Sequence, residues 1–357
     1  MKTLMSSAID QIAIEDLEPR PMGARDVRVR LEASGLCHTD ASVLSGDIPG
    51  ERPIVLGHEG VGVVEAVGSA TTRLSVGQRV ILSAIPSCGT CFYCSRAQPY
   101  LCERSRATRK PSFVAADGTA VHGVSGLGTF AETMVVDEAA AVAVDTDLPA
   151  DQLSVVGCAV LTGTGAALNT ADLQPGQTVA VIGAGGIGLA AIQGARIRNA
   201  GAIVAIDPSE AARAAALTVG ATHVFESGAA AADTIGALTA GRGVDTAFDC
   251  VGRPTTLEAA WPLVRKGGDL VVIGVPVAGD HNPIPMVELV RNAKRIVGVM
   301  YGSSSMHRDI PLFVRLAETG QLDLGALIGD HVDIEGMHGV LCGGHHGAGR
   351  TVIDWPS

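Results

Sequence analysis

Aromatic residues make up only 3% of this chain, so there are few rings on which nucleic-acid bases could stack. Basic clusters are missing too: no run of five Lys or Arg occurs and the formal net charge is −11. Binding to phosphate backbones, which takes clustered cations, is therefore excluded. No uninterrupted apolar run reaches the roughly eighteen residues of a membrane span, because Asp, Arg or Gln breaks each one. The opening segment, MKTLMSSAIDQIAIEDLEPR, has neither a basic start nor a continuous apolar stretch. No secretory leader is expected there, which places the protein in the cytoplasm with reduced thiols. Repeats and low-complexity tracts are also absent.

What the chain has is length and apolar content. At 357 residues, 47% hydrophobic and 18% charged, it fits a soluble globular protein of two domains, at about 150 residues per domain. From about residue 25 to 145, short runs such as DVRVRLEA, GVGVVEAV and QRVIL alternate with Gly, Pro and Asp, which predicts an irregular antiparallel β domain. From about 178 the rhythm changes to strand and helix in turn: TVAVIG, GIGLAAIQGARIRNA, AIVAID, SEAARAAALTVG, HVF, VDTAFDCV, a helix from Pro254 to Arg265, GDLVVIGV, a helix near MVELVRNAK, and RIVGVMY. That pattern predicts an α/β fold with about six strands in a doubly wound parallel sheet. After Gly302 an amphipathic helix in HRDIPLFVRLAETG and a strand in RTVID are expected to return to the first domain. The expected boundaries are 1–158, 159–301 and 302–357.

Four cysteines, Cys88, Cys91, Cys94 and Cys102, fall within the fifteen residues CGTCFYCSRAQPYLC. Such spacing closes a tetrahedral thiolate cage around a structural zinc with no open position for substrate. The alternative is disulfide pairing, which cysteines two residues apart make poorly.

Gly183, Gly185, Gly186 and Gly188 form GAGGIG between a strand and an Ala-rich helix, the setting in which backbone amides and a helix N-terminus receive a pyrophosphate. Asp207 ends the next strand, 19 residues beyond Gly188. A carboxylate there accepts ribose hydroxyls and repels a 2′-phosphate, which favours NAD over NADP, although Arg213 one helical turn further on could soften the choice. The alternative for Asp207 is a plain helix cap before Ser209.

GLCHTD at 35–40, GHE at 57–59 and GCAV at 157–160 each carry a metal-ligand type of residue. Singly they are ambiguous, since a buried cysteine is commonly a small hydrophobe and one histidine commonly structural. Together Cys37, His58 and Cys158 make a Cys₂His set with room for a fourth ligand.

With those motifs, the four-cysteine segment, GHEGVGVVEAVG, GCAVLTG, GAGGIG with Asp207 and GVP at 274–276, the chain resembles the zinc-dependent medium-chain alcohol dehydrogenase family over essentially its whole length. The resemblance implies an irregular β (GroES-like) catalytic domain joined to a Rossmann domain, two Zn²⁺ per subunit, one catalytic and one structural, and NAD. It implies that Cys37, His58 and Cys158 hold the catalytic zinc, with Glu59 as an occasional ligand or a neighbouring carboxylate, and that Asp40 and Glu65 orient ligands unless they are plain loop and strand acids. Thr39 would start a proton relay; where the family continues with a histidine three residues later, this chain has Ser42. His38 and Arg350 would face the pyrophosphate, with surface placement the rival for Arg350, and Thr162 and Ile187 would lie by the nicotinamide, with core packing the rival for Ile187.

The activity implied is reversible oxidation of a primary alcohol to an aldehyde with hydride transfer to NAD. Ala84 stands where an aromatic residue often narrows the alcohol channel, which favours bulky or aromatic alcohols, and Phe113 and the loop 103–128 could add to the lining. The rival within the family is oxidation of a thiol adduct of formaldehyde, for which Arg104, Arg106, Arg109 and Lys110 could hold carboxylates. A more distant rival is a non-catalytic NAD-binding protein on the same fold. RIVGVMY offers a sheet edge for a homodimer, with a tetramer as the alternative. Cys250 and Cys342 are expected to pack in the interior, and His345 and His346 to lie in a solvated glycine turn.

Overall fold

Apolar and polar residues alternate in DVRVRLEASG, and the period of two buries one face of a long strand, β1 (Asp26–Gly35). This computed structural model describes residues 1–105, 110–277, 279–281, 284–343 and 349–356. The chain divides into two units: 1–159 with 305–319 and 328–357, and 160–304 with 320–327. The C-terminal segment is thus shared, since 302–304 and 320–327 belong to the second unit rather than to the first, where 302–357 was expected. Gln193 explains the placement of 320–327: its amide bonds both the Asp323 carbonyl and the Asp323 N–H, at 2.9 and 2.7 Å.

In the first unit β1 is followed by α1 (His38–Ser45), β2 (Glu59–Val67), β3 (Arg79–Leu82), β4 (Thr133–Asp137) and β5 (Ala141–Ala143). They build a seven-stranded sheet in the order β5-β3-β2-β1, then Arg350–Asp354 and Ile328–Val332, with β4 paired to the first half of β1. Register matters at the end of β1. Gly35 stands opposite Glu59 of β2 on one side and Val352 of the last strand on the other. A second sheet of six short strands carries Lys2–Ala8 and Gln11–Asp16.

A helical segment, α2 (Ala150–Thr170), carries the chain from Ala159 to Val160. By length and composition it could cross a membrane, but 83% of its apolar window is buried inside the protein, as in a core helix.

The second unit contains β6 (Thr178–Ile182), α3 (Gly186–Ile197), β7 (Ala202–Ile206), β8 (His223–Phe225), β9 (Val244–Asp249), β10 (Val264–Val272) and β11 (Arg295–Gly298). Its six strands are all parallel in the order β8-β7-β6-β9-β10-β11, the doubly wound sheet that the alternating pattern predicts. β6 and β7 are buried at every residue, which is why they read as continuous apolar runs. The helix from Pro254 stops at Ala260 instead of Arg265. Pro262 cannot continue it, and Val264 is already paired with Val244.

Candidate active site

Cys37 caps the N-terminus of α1 in extended backbone, φ −104° and ψ 150°. Asp40 follows one turn later, fully buried, because its carboxylate has three partners. Oδ2 accepts from the Cys37 N–H at 3.1 Å; Oδ1 accepts from the Gly57 N–H at 2.9 Å and lies 3.0 Å from His58 Nδ1. One carboxylate therefore orders two segments and turns His58 Nε2 toward Cys37, the arrangement typical of a metal-ligating histidine. Gly57, at φ +88°, has no room for a side chain, since a Cβ would stand 2.7 Å from the Phe130 nitrogen.

The ligand atoms of Cys37, His58 and Cys158 lie within 4.8 Å of one another, and all three residues are buried. The donor set fits zinc: two sulfurs, one imidazole already oriented, and a place for a further ligand. Hydrogen bonding from Cys158 holds the Cys37 thiol well below its ordinary range, aided by Arg350 and His58, and Cys158 is pushed up in turn by sharing that bond and by burial. Burial works against charge on His58, but Asp40 and Cys37 outweigh it and raise its pKa.

Glu59 lies outside that three-residue set. Its Oε1 accepts from Arg350 Nη2 at 2.9 Å, and its Oε2 has no hydrogen-bond partner among the described residues. Burial pushes the Glu59 carboxyl up to about 7, with Arg350 opposing and Cys37 adding to the shift. Arg350 is only 7% exposed, and its Nη2 also lies 3.4 Å from Cys37 Sγ. Surface placement is thereby ruled out, and Arg350 is held by Glu59 and Cys37. Glu65 does not orient ligands: it is partly exposed and pairs with Arg28 and Arg30, at 3.3 and 3.8 Å, because it points from the solvent face of β2. His38 is exposed and Thr39 half-buried in the first turn of α1. Ala84 and Phe113 are buried.

Cys88, Cys91, Cys94 and Cys102 bring their sulfurs within 4.8 Å of one another. The Sγ separations of Cys88 to Cys94 and of Cys91 to Cys102 are 4.0 Å, about twice a disulfide bond length, and all eight cysteines are free. The N–H groups of Thr90 and Cys91 lower the Cys88 thiol to about 6, while burial pushes Cys94 up to about 12. A four-sulfur cage of this kind fits structural zinc.

In the second unit the glycine pattern has steric reasons. Gly183 adopts φ +84°, and a Cβ on Gly188 would stand 1.8 Å from the Gly183 carbonyl oxygen. Gly185 is exposed, with open space where its Cβ would be, at the N-terminus of α3, which begins at Gly186. Asp207 follows β7 directly. Its Oδ2 accepts from the Ala184 N–H and its Oδ1 from the Ser209 N–H, both at 2.8 Å, so the acid braces the glycine turn as well as preceding the next helix. Arg213 Nη1 donates to the carbonyls of Asp207 and Pro208, at 2.8 and 2.9 Å. Thr162 is buried and Ile187 half-buried.

The leftover cysteines part company. Cys250 is half-buried, and burial raises its thiol. Cys342 is exposed, 3.8 Å from His338 on the same helix, because its position falls on the solvent face, so it is not a packing residue. His345, His346, Arg106 and Arg109 lie outside the described residues. Sequence reasoning missed the chain Trp355, Ser34, Thr129 and Glu59, linked by hydrogen bonds of 2.9, 2.6 and 3.0 Å. Partners so far apart in sequence leave no local signal.

Comparison with known proteins agrees with this geometry. Residues 23–146 match the alcohol dehydrogenase GroES-like domain and residues 186–319 the zinc-binding dehydrogenase domain. A Mycobacterium tuberculosis protein provisionally assigned as alcohol dehydrogenase D is 37% identical over 322 residues, covering 88% of each chain. S-(hydroxymethyl)glutathione dehydrogenase of Aspergillus oryzae is 36% identical over 336 residues, 90% of this chain and 87% of that one. The crystal structure of benzyl alcohol dehydrogenase from Acinetobacter calcoaceticus superposes with a TM-score of 0.88 at 28% identity, covering 100% of both chains. The fold and the two clusters of metal-ligating side chains define a two-domain oxidoreductase of the zinc-binding type. This chain belongs to the zinc-dependent medium-chain alcohol dehydrogenase family.

Proposed function

We propose that the protein is an NAD-dependent alcohol dehydrogenase that converts a primary alcohol to its aldehyde reversibly, with bulky or aromatic alcohols favoured. The observation that carries this is the buried Cys37, His58 and Cys158 set, two of whose members are ordered by Asp40. Zinc held by those three residues supplies Lewis acidity toward an alcohol oxygen, and NAD supplies the hydride acceptor. The remaining steps belong to the chain. Thr39, half-buried two residues after Cys37, takes the hydroxyl proton toward solvent, and Ser42 hands it to water, since a serine cannot buffer it near neutral pH. His38 and Arg350 are assigned to the pyrophosphate, with Gly183, Gly185, Gly186 and Gly188. Asp207 takes the ribose hydroxyls, and Thr162 and Ile187 the nicotinamide. Glu59, held by Arg350, is a neighbouring carboxylate able to exchange with a zinc ligand. Small, buried Ala84 supports the wider substrate range, as does similarity to an enzyme named for benzyl alcohol.

Zinc content per chain, measured with NADH formation against primary, benzylic and formaldehyde–thiol substrates, tests the reading. Two zincs and turnover of a bulky primary alcohol are expected; turnover of only a formaldehyde–thiol adduct moves the substrate to the rival, and no turnover with two zincs bound overturns the enzymatic assignment.

We also propose a cytoplasmic homodimer. Eight free thiols suit a reducing compartment. Among the described residues β11 ends the parallel sheet without a further strand, and Val275, Met286, Val287 and Val290 of the second unit are 64–74% exposed. A sheet-end strand in a unit with exposed apolar residues suits two-fold pairing with a second copy.

A further inference from the structure

Asp40 orders Cys37 and His58 together, but Cys158 comes from a distant segment and is held by a separate device. It sits on a π-helical turn, Val156–Val160, inside α2. Such a turn accommodates an extra residue and re-aims the side chains around it, and it recurs at functional sites. Two contacts fasten the turn to the end of β3. Gly157 passes so close that a Cβ there would stand 1.9 Å from the Leu82 carbonyl oxygen. Ser83, fully buried just beyond β3, donates its hydroxyl to the Gly157 carbonyl at 3.1 Å, while its own N–H donates to the Ala140 carbonyl at 2.9 Å. The serine is thus pinned to the loop before β5 and grips the residue immediately before Cys158.

We propose that Ser83 is a positioning residue for the zinc ligand Cys158, holding the π-helical turn so that the Cys158 sulfur stands ready beside Cys37 and His58. The inference rests on the reading of those three residues as the catalytic zinc set. Physically, an unfastened turn would let the third ligand move through positions that do not suit the metal. Partners one shell out from a ligand commonly govern metal affinity by 10–100-fold.

The test is zinc release to a chromogenic chelator from the full-length protein, resolved into a catalytic-site and a structural-site phase, beside the visible d–d spectrum of protein carrying cobalt(II) at the catalytic site. Ser83→Ala is expected to speed the catalytic phase by about tenfold or more, to alter the cobalt bands, and to leave the structural phase unchanged. Thr164→Val is the control. It removes another buried hydroxyl bonded to a helical carbonyl, that of Ala190 at 3.0 Å, and should change neither phase even where it lowers the melting temperature. If Ser83→Ala does not fold, Ser83→Cys, which keeps the volume and weakens the donor, is read the same way. Two bound zincs with parental release rates and an unchanged cobalt spectrum overturn the inference alone. A parent chain that binds zinc only at the four-cysteine cage overturns the ligand reading and the inference together.

Discussion

Asp40 is the residue on which the proposed metal site turns, since one buried carboxylate restrains the Cys37 backbone, the Gly57 backbone and the His58 ring. Asp40→Asn keeps the shape but offers an amide donor where acceptors are needed, and zinc affinity at the catalytic site is expected to fall about 10–100-fold by competition with a chelator. Cys37→Ala should lower zinc from two per chain to one, with alcohol oxidation reduced to background. Thr39→Ala should retain both zincs yet slow turnover by roughly 10²-fold; unchanged hydride transfer in that variant removes Thr39 from the relay. A separate residue-scale effect concerns acid stability. Burial of Asp26 raises its carboxyl, but Arg20 at 2.5 Å and the Gly23 N–H at 2.6 Å outweigh it, so the pKa lies below the ordinary 3.8. The folded state thus binds fewer protons here than the unfolded state. The stabilisation is complete above 3.8 and is lost as pH falls through the depressed value. Asp26→Asn should flatten the low-pH limb of an unfolding curve and leave its slope above pH 5 as it was.

At the scale of elements, the glycine turn between β6 and α3 is a steric solution with no slack. Gly188→Ala would place a methyl 1.8 Å from the Gly183 carbonyl. Overpacking of that kind costs about 1–3 kcal/mol, and because the strain falls on the turn proposed to hold the pyrophosphate, the proposed cofactor NAD should bind about tenfold more weakly by fluorescence titration. This turn was legible in the sequence because glycines, strand and acid all lie within one short stretch. The same holds for the four-cysteine cage and for the six parallel strands, whose apolar runs reflect burial on both faces. What was illegible depends on partners far along the chain. The role of Arg350 is set by strand register, which brings Gly35 opposite both Glu59 and Val352, and no local pattern encodes that. Glu65 could not be decided from sequence, because its place in a motif-bearing strand says nothing of which face it points from; it is the plain strand acid of the two readings. The strand expected through RIVGVMY ends at Gly298, since Tyr301, Gly302 and Ser303 all turn left-handed, and a run of three such residues cannot lie in a sheet.

For the whole molecule, β11 at the end of the sheet among the described residues and the exposed apolar residues of the second unit predict a concentration-dependent assembly. Val290→Asp, at a position 74% exposed, should leave the folded protein intact while light scattering shows monomers where the parent gives dimers; an unchanged mass would place the interface elsewhere. Distance along the chain has a further outcome. The bond between Glu59 and Arg350 joins residues 291 positions apart, so a ribosome must translate most of the message before the carboxylate beside Cys37 meets its cation. Until then Glu59 has no cation to offset its charge, so burying it beside Cys37 must wait for the last strand of the chain.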